Sequence, residues 1–222
     1  MKLTKRLIIA IDGPSGAGKG TVARAIASAL GYRHVDSGAM YRAVGWQALH
    51  DGIALEDEAR VAGVATRVRI EMLETTTSVD GMDVTRAIRT PEIDRAAASV
   101  ARLPAVRAVL VARQRELAAD GGIVMEGRDI GTVVFPQAEV KIYLDASAEE
   151  RARRRAHDPA HHGGPEKVAD VATLLTERDR LDTTRAASPL YAATDAVVVD
   201  TTGKQVDEVV AEVLEIVNKR LA

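Results

Sequence analysis

Two hydrophobic periods alternate along this chain. Short runs rich in β-branched residues, at 7–12, 33–36, 123–126, 140–144 and 196–200, predict strands. Periodicity alone does not separate Ala196-Val197-Val198-Val199 from buried helix. Its shortness, its β-branched content and its bounds at Asp195 and Gly203 favour a strand. The stretches 19–30, 39–50, 56–66, 105–119, 148–157, 168–180 and 206–221 repeat apolar residues at helical spacing. Strands separated by helices imply right-handed crossovers and a parallel sheet covered on both faces.

Two segments break the rhythm. Residues 68–84 read as short strands around a turn at Asp80-Gly81, an antiparallel insertion in the parallel core. Residues 158–165, rich in His, Gly and Pro, predict a mobile loop between helices. The basic start, 1–6, raises the question of a signal peptide, but the apolar stretch after it is cut short by Asp12. No run approaches the roughly 20 apolar residues of a membrane span. Export and membrane insertion are therefore not expected.

Composition narrows the field. The 222 residues suit one domain, or a core with a modest insertion, and 46% hydrophobic against 28% charged residues is ordinary for a globular protein. Thirty basic and 32 acidic residues leave a net charge of -2. No global field draws the chain to nucleic acid or an anionic membrane, so an anion site must be built from locally focused arginines. Cysteine is absent, which removes disulfides and thiolate metal sites and agrees with a reducing, cytoplasmic setting.

The first strand runs into Gly13-Pro14-Ser15-Gly16-Ala17-Gly18-Lys19-Gly20-Thr21, and a helix follows. The spacing G-x-x-x-x-G-K between strand and helix is that of a phosphate-binding loop. Glycines let backbone N–H groups turn inward, the helix adds its positive end, and Lys19 reaches the β- and γ-phosphates. Gly20 stands where Ser or Thr usually supplies a hydroxyl to Mg²⁺, so no residue is assigned as a direct metal ligand. G-x-x-x-x-G-K-G-T is similar to the loop of nucleoside monophosphate kinases.

Further strings follow: Asp36-Ser37-Gly38-Ala39-Met40-Tyr41-Arg42, Ile88-Arg89-Thr90-Pro91-Glu92, Pro104-Ala105-Val106-Arg107, Glu126-Gly127-Arg128-Asp129-Ile130-Gly131-Thr132-Val133-Val134-Phe135-Pro136 and Arg178-Asp179-Arg180-Leu181-Asp182-Thr183-Thr184-Arg185. Together they resemble the bacterial cytidylate kinases over nearly the whole chain. Arginines suit such chemistry because the guanidinium fork is planar, always charged and bidentate toward phosphate. Transfer between two nucleotides rests on positioning and charge stabilisation.

The resemblance implies an α/β P-loop three-layer fold, one kinase unit over 1–222. An antiparallel acceptor-binding insertion falls at about 61–102, and a short lid at about 155–176. It implies transfer of the γ-phosphoryl group of ATP to CMP or dCMP, with Mg²⁺. A monomer is the default, and the balanced charge and the lack of a long apolar run give no reason to expect a nucleic-acid or membrane partner. Gly13 to Thr21 would hold ATP, and Lys19, Arg128 and Arg185 would be catalytic. Arg42, Arg128 and Arg185 would hold the acceptor phosphate, with Arg178 between sugar and phosphate. Ser37 and Asp182 would meet the sugar, and Arg107 and Asp129 the cytosine ring. Arg154 is the preferred lid residue, with a solvated basic face as the other reading of 151–155. The chain departs from the family at Ala98, where a serine is common, with Ser99 one place on. His161-His162 is read as a solvent-exposed pair, Trp46 as core, and Thr202-Gly203 as a helix entry that also suits an approach to the adenine side. A uridylate or shikimate kinase, or a nucleotide-hydrolysing switch, are the rivals. A switch needs no second cluster of arginines.

Overall fold

The structure is a computed structural model that describes residues 6–73, 75–158, 168–185 and 188–221. The expected histidine pair at 161–162 and most of the loop at 158–165 lie outside the described residues. In chain order the strands are β1 (Ile8–Asp12), β2 (Arg33–Asp36), β3 (Ile70–Met72), β4 (Thr77–Val79), β5 (Met82–Asp83), β6 (Ile123–Gly127), β7 (Val140–Asp145) and β8 (Val197–Asp200). The helices are α1 (Lys19–Leu30), α2 (Ser37–His50), α3 (Glu58–Arg67), α4 (Pro91–Val100), α5 (Pro104–Leu117), α6 (Ala148–Ala156), α7 (Val168–Thr184) and α8 (Val206–Leu221).

Five strands form a parallel sheet in the order β2-β6-β1-β7-β8. Ile9 of β1 is in register with Val124 of β6 and Val140 of β7, so the strand that feeds the glycine loop sits in the middle. One face packs Ile9, Ile11, Ile142, Leu144 and Val199 against Val22 and Ile26 of α1 and Val209, Val213 and Val217 of α8. The other face buries Ala10, Val35, Met125, Ile130 and Phe135, with Val111 and Leu117 of α5 beside them. These are the three layers that the alternation of periods predicts. Among the described residues no helix is long and apolar enough to cross a membrane.

The irregular segment becomes a second, antiparallel sheet in the order β3-β4-β5. Val79 pairs with Met82 across Asp80 and Gly81, both at positive φ, 49° and 83°. This is the hairpin that the Asp-Gly pair predicts. A separate core beneath it joins Val44 of α2, Val61 and Val64 of α3, Val79, Ile88, Ile93 of α4 and Leu110 of α5. Trp46 packs against this core and stacks on His50, ring centroids 5.2 Å apart, as expected of a core residue.

Local chemistry moved several boundaries. Helix α2 starts at Ser37 because the Asp36 carboxylate accepts from Ala39 N at 3.0 Å and caps it. Helix α7 runs on to Thr184, with Thr183 and Thr184 hydroxyls bonded back to Asp179 O and Arg180 O. Helix α4 has no counterpart among the stretches of helical periodicity. Its buried stripe, Ile93, Ala96, Ala97 and Val100, is half alanine and gives a weak signal, although Thr90 caps it and Pro91 occupies its first turn. Residues Ile130–Val134 form a π-helical turn whose Ile130 and Gly131 N–H groups donate to the Asp12 carboxylate at 2.8 and 2.7 Å.

Helices α2 and α4 meet at Gly45. A Cβ there would lie 3.1 Å from Ala96 Cβ and 3.2 Å from Ala96 C, backbone that has no side chain to yield. We expect Gly45→Val to lower stability by about 1–3 kcal/mol through overpacking, read as a lower urea midpoint. An unchanged midpoint would show that the two helices separate freely.

Candidate active site

All five parallel strands end on one edge of the sheet, the usual place for a ligand in an open α/β fold. There β1 delivers the glycine loop. Gly13 lies at φ 147°, where an added Cβ would stand 2.0 Å from Leu144 O, so β7 closes against it only because no side chain is present. Gly16, at φ 81°, would bring a Cβ within 2.8 Å of Arg151 O. The loop is thus clamped between β7 and α6. Arg151 is buried behind it, donating to Ser15 O at 3.3 Å and to Asp179 at 2.5 Å.

Lys19 is buried at the start of α1, and its Nζ donates to Pro14 O at 2.7 Å. Burial above all, with repulsion from Arg128 and Arg178, pushes its ammonium down to about 7, against the pull of Glu126 and Asp12. Burial pushes Asp12 up to about 6, although two backbone N–H groups and Lys19 hold its charge. Gly20 faces Glu126: a Cβ on Gly20 would lie 3.1 Å from Glu126 Oε1. The same oxygen, Oε1, lies 3.0 Å from His34 Nε2.

The acceptor-side residues come from α2, α5, the end of β6 and α7, and all line the same cleft of about 970 Å³ as the glycine loop from Ser15 to Thr21. Arg128 Nε donates to Asp182 Oδ2 at 2.9 Å. Burial opposes the Arg128 charge, but the carboxylates of Asp182, Asp179 and Glu126 outweigh it and hold the guanidinium above its ordinary range. Arg107 is paired with Asp129, donates to Tyr41 Oη at 3.2 Å and lies over that ring, 5.9 Å from its centroid. Arg185 stands 3.7 Å from Asp129 and 4.0 Å from Asp182. The Ser37 hydroxyl donates to Glu126 O at 2.6 Å. Arg42 Nη2 donates to Asp36 Oδ2 at 2.7 Å, and Arg89 is 3.7 Å from the same oxygen.

Several guanidinium atoms are left without a partner. Arg42 Nε, Arg178 Nε and Arg185 Nη2 are buried with no hydrogen-bond acceptor among the described residues. Such donors are costly unless an anion reaches them.

The run 151–155 does not act as one face. Arg151 buttresses the loop and Arg153 is exposed beside Glu150. Arg154 reaches across to Thr201, Nη1 to Oγ1 at 2.9 Å and Nη2 to the carbonyl at 2.7 Å, with Nη1 at 3.7 Å from where a Gly18 Cβ would be. Arg155 pairs with Asp94 of α4. Thr201, not Thr202, carries the contact to the loop, 3.3 Å from Ala17 O. Ala98 lines the cleft, whereas Ser99 is exposed on the far side of α4. Gly13 and Pro14 sit behind the cleft rather than on its wall. Sequence reasoning gave no role to Glu126, His34 or Asp94. The first lies within a quoted motif, but only the fold brings it against Gly20.

A glycine loop on a parallel sheet, facing a cluster of arginines, defines a P-loop phosphotransferase with a charged acceptor. The family described as cytidylate kinase matches residues 9–219. A cytidylate kinase of Desulfitobacterium hafniense (strain Y51) is 47% identical over 99% of this chain and 96% of its own length. One of Solibacter usitatus (strain Ellin6076) is 47% identical over 98% and 94%. The crystal structure of an uncharacterized protein from Eubacterium ventriosum shares the fold, with a TM-score of 0.56 at 10% identity, covering 97% of this chain and 99% of that one. The chain belongs to the cytidylate kinase family and is an ATP-dependent kinase.

The state of Lys19 gives a measurable consequence. With a value of about 7 against 10.5 when unfolded, the unfolded chain binds more protons than the folded one between these limits. The group therefore makes stability rise with pH across that window. Triphosphate beside the ammonium restores its charge. We expect nucleotide binding at pH 8 to take up close to one proton and at pH 6 almost none, measured by calorimetry in buffers of different ionisation enthalpy. Uptake that is equally absent at both would show Lys19 charged throughout.

Proposed function

We propose that the chain transfers the γ-phosphoryl group of ATP to CMP or dCMP by in-line displacement, working as a monomer in the cytoplasm without nucleic acid or membrane. One observation carries this: Arg42, Arg178 and Arg185, each with a buried guanidinium nitrogen that has no hydrogen-bond acceptor among the described residues, line the same cleft as Lys19. The acceptor phosphate is an anion already nucleophilic near neutral pH, so no general base is needed. Its oxygen attacks the γ-phosphorus and ADP leaves.

The roles divide by element. The loop from Gly13 to Thr21 cradles the donor, and Lys19 follows the migrating group. Arg128, Arg185 and Arg42 receive the acceptor phosphate, and Arg178 reaches between sugar and phosphate. Ser37 and Asp182 take the sugar, and Arg107 and Asp129 the base. The segment 61–102 forms the acceptor-binding insertion and 155–176 the lid, with Arg154 over the donor.

Mg²⁺ fits at Gly20. No cluster of three or more His, Cys, Asp or Glu side chains suited to a metal occurs among the described residues, so the phosphates would supply most ligands. The Glu126 carboxylate fills the place toward which a side chain at position 20 would project, and carboxylate oxygen is a donor Mg²⁺ accepts. Glu126, directly or through water, and Thr21 would hold the ion, which neutralises charge on the donor oxygens.

A coupled ADP-release assay with CMP, dCMP, UMP, AMP and no acceptor tests the reading. The first two should be turned over fastest, and turnover without acceptor that matches the CMP rate would sink it. Arg128→Ala and Arg185→Ala should each lower kcat/KM for CMP by about 10² to 10³ with little change in calorimetric ATP affinity; equal loss of both ligands would place them elsewhere.

Base choice rests on Asp129. It accepts the exocyclic amine of cytosine, whereas uracil would meet it acceptor to acceptor. Leaving such a group unpaired costs roughly 1–3 kcal/mol, about ten- to a hundredfold. Asp129→Asn should erase most of the CMP over UMP preference and Ser99→Ala almost none, since Ser99 faces solvent. The reverse pattern would show the base contacts to be wrongly assigned.

A further inference from the structure

Asp94 lies in the first turn of α4, yet the capping there is done by Thr90, whose hydroxyl accepts from Ile93 N at 3.3 Å. Its own carboxylate points instead at arginines from three other helices. Oδ1 is 3.4 Å from Arg178 Nη1 of α7 and 4.0 Å from Arg42 Nη1 of α2, and Oδ2 pairs with Arg155 of α6. Arg42 is gripped from its other end, with Nη2 on Asp36. In both Arg42 and Arg178 the atom left over is the buried Nε without an acceptor. A carboxylate facing the Nη1 ends at ion-pair distance draws those ends toward it, and so biases the direction in which Nε points.

We propose that Asp94 is a positioning residue for the acceptor phosphate, clamping Arg42 and Arg178 by their Nη1 ends so that their Nε edges face the incoming phosphoryl oxygens. The proposal rests on the kinase reading above and adds a residue to it. The alternative is that Asp94 competes with the phosphate for the same arginines. The geometry favours the clamp, because the contacts fall on Nη1 and spare Nε. Charge points the same way. Burial lowers the proton affinity of Arg178, and the Asp94 carboxylate is the first influence that opposes this. Without it three cations, Arg42, Arg155 and Arg178, would face one another across the junction of α2, α4, α6 and α7.

The test is Asp94→Asn, which keeps the shape and removes the charge. The full chain is assayed with CMP and ATP varied in turn. KM for CMP should rise roughly tenfold, the loss of the ion-pair contacts that orient Arg42 and Arg178. The KM for ATP should stay put and kcat should change by less than about threefold. Asp94→Ser should repeat this split, and Asp94→Glu should recover part of it. In an Arg178→Ala background the effect of Asp94→Asn should shrink, as for groups that act through one another. Thermal unfolding of each variant separates a fold defect, which would raise both KM values together. An unmoved KM for CMP overturns the proposal. A fall in KM for CMP also overturns it, since that is the signature of competition. If the wild-type chain fails to phosphorylate CMP, the functional reading itself fails; if it succeeds while the variants match it, only the role of Asp94 does.

Discussion

Everything in the cleft answers to one constraint, the packing of like charges. Lys19, Arg42, Arg107, Arg128, Arg178 and Arg185 line a single cavity. Two unit charges 4 Å apart repel by about 4 kcal/mol at an effective dielectric of 20, comparable to a sizeable part of the stability of a domain. Such a cluster stands only if carboxylates are interleaved with it. Asp36, Asp94, Asp129 and Asp182 each touch at least one arginine. Burial adds to the strain: it is the main reason the Lys19 proton is loosened, with repulsion from Arg128 and Arg178 behind it and a carbonyl as its hydrogen-bond acceptor.

The fold meets the constraint by drawing these charges from separate elements. The carboxyl ends of β1 and β6 and the starts of α1 and α2 converge on one edge, while α5 and α7 bring Arg107, Arg178 and Arg185 from the sides. Each arginine is tied to a carboxylate on a different element: Arg128 after β6 to Asp182 on α7, Arg107 on α5 to Asp129, Arg178 on α7 to Asp94 on α4. The acceptor site is therefore a set of crosslinks between helices. The packing of those helices and the placement of the arginines depend on the same contacts.

Much of this was legible in residue order, and the limits have physical causes. Parallel strands with both faces buried announce themselves as β-branched runs, and the glycine loop carries its own context of strand and helix. Asp80-Gly81 fixed the hairpin because few residues tolerate its φ values. Alanine-rich α4 leaves no mark in the hydrophobic periodicity, since alanine packs without contributing much apolar contrast, and only the family resemblance points to a helix beside the insertion's sheet. In the run 151–155 a solvated basic face stands open beside a lid arginine at Arg154 because charge spacing says nothing about depth; packing against Gly16 buries Arg151, and helical rotation turns Arg153 outward. Ser99 illustrates the opposite case, where a shift of one residue on a helix was enough to move a hydroxyl from the cleft to solvent.

Gly20 shows why a local departure had to wait for the structure. In sequence it is a missing hydroxyl, a loss at the metal side of the loop. In space the same position is crowded, because Glu126, on a neighbouring strand, extends a carboxylate to within 3.1 Å of where a Cβ would be. A side chain at position 20 would require that carboxylate to give by a few tenths of an ångström, and glycine lets it sit where it does. His34 is hydrogen-bonded to that same oxygen, Oε1, so the carboxylate cannot swing away without breaking that contact. In the proposed function Glu126 would offer the metal an oxygen donor from β6 in place of the loop hydroxyl, and the next residues, Gly127, Arg128 and Asp129, would begin the acceptor site. On that reading the metal side of the donor and the phosphate side of the acceptor would depend on one short segment, and a displacement of β6 would disturb both at once.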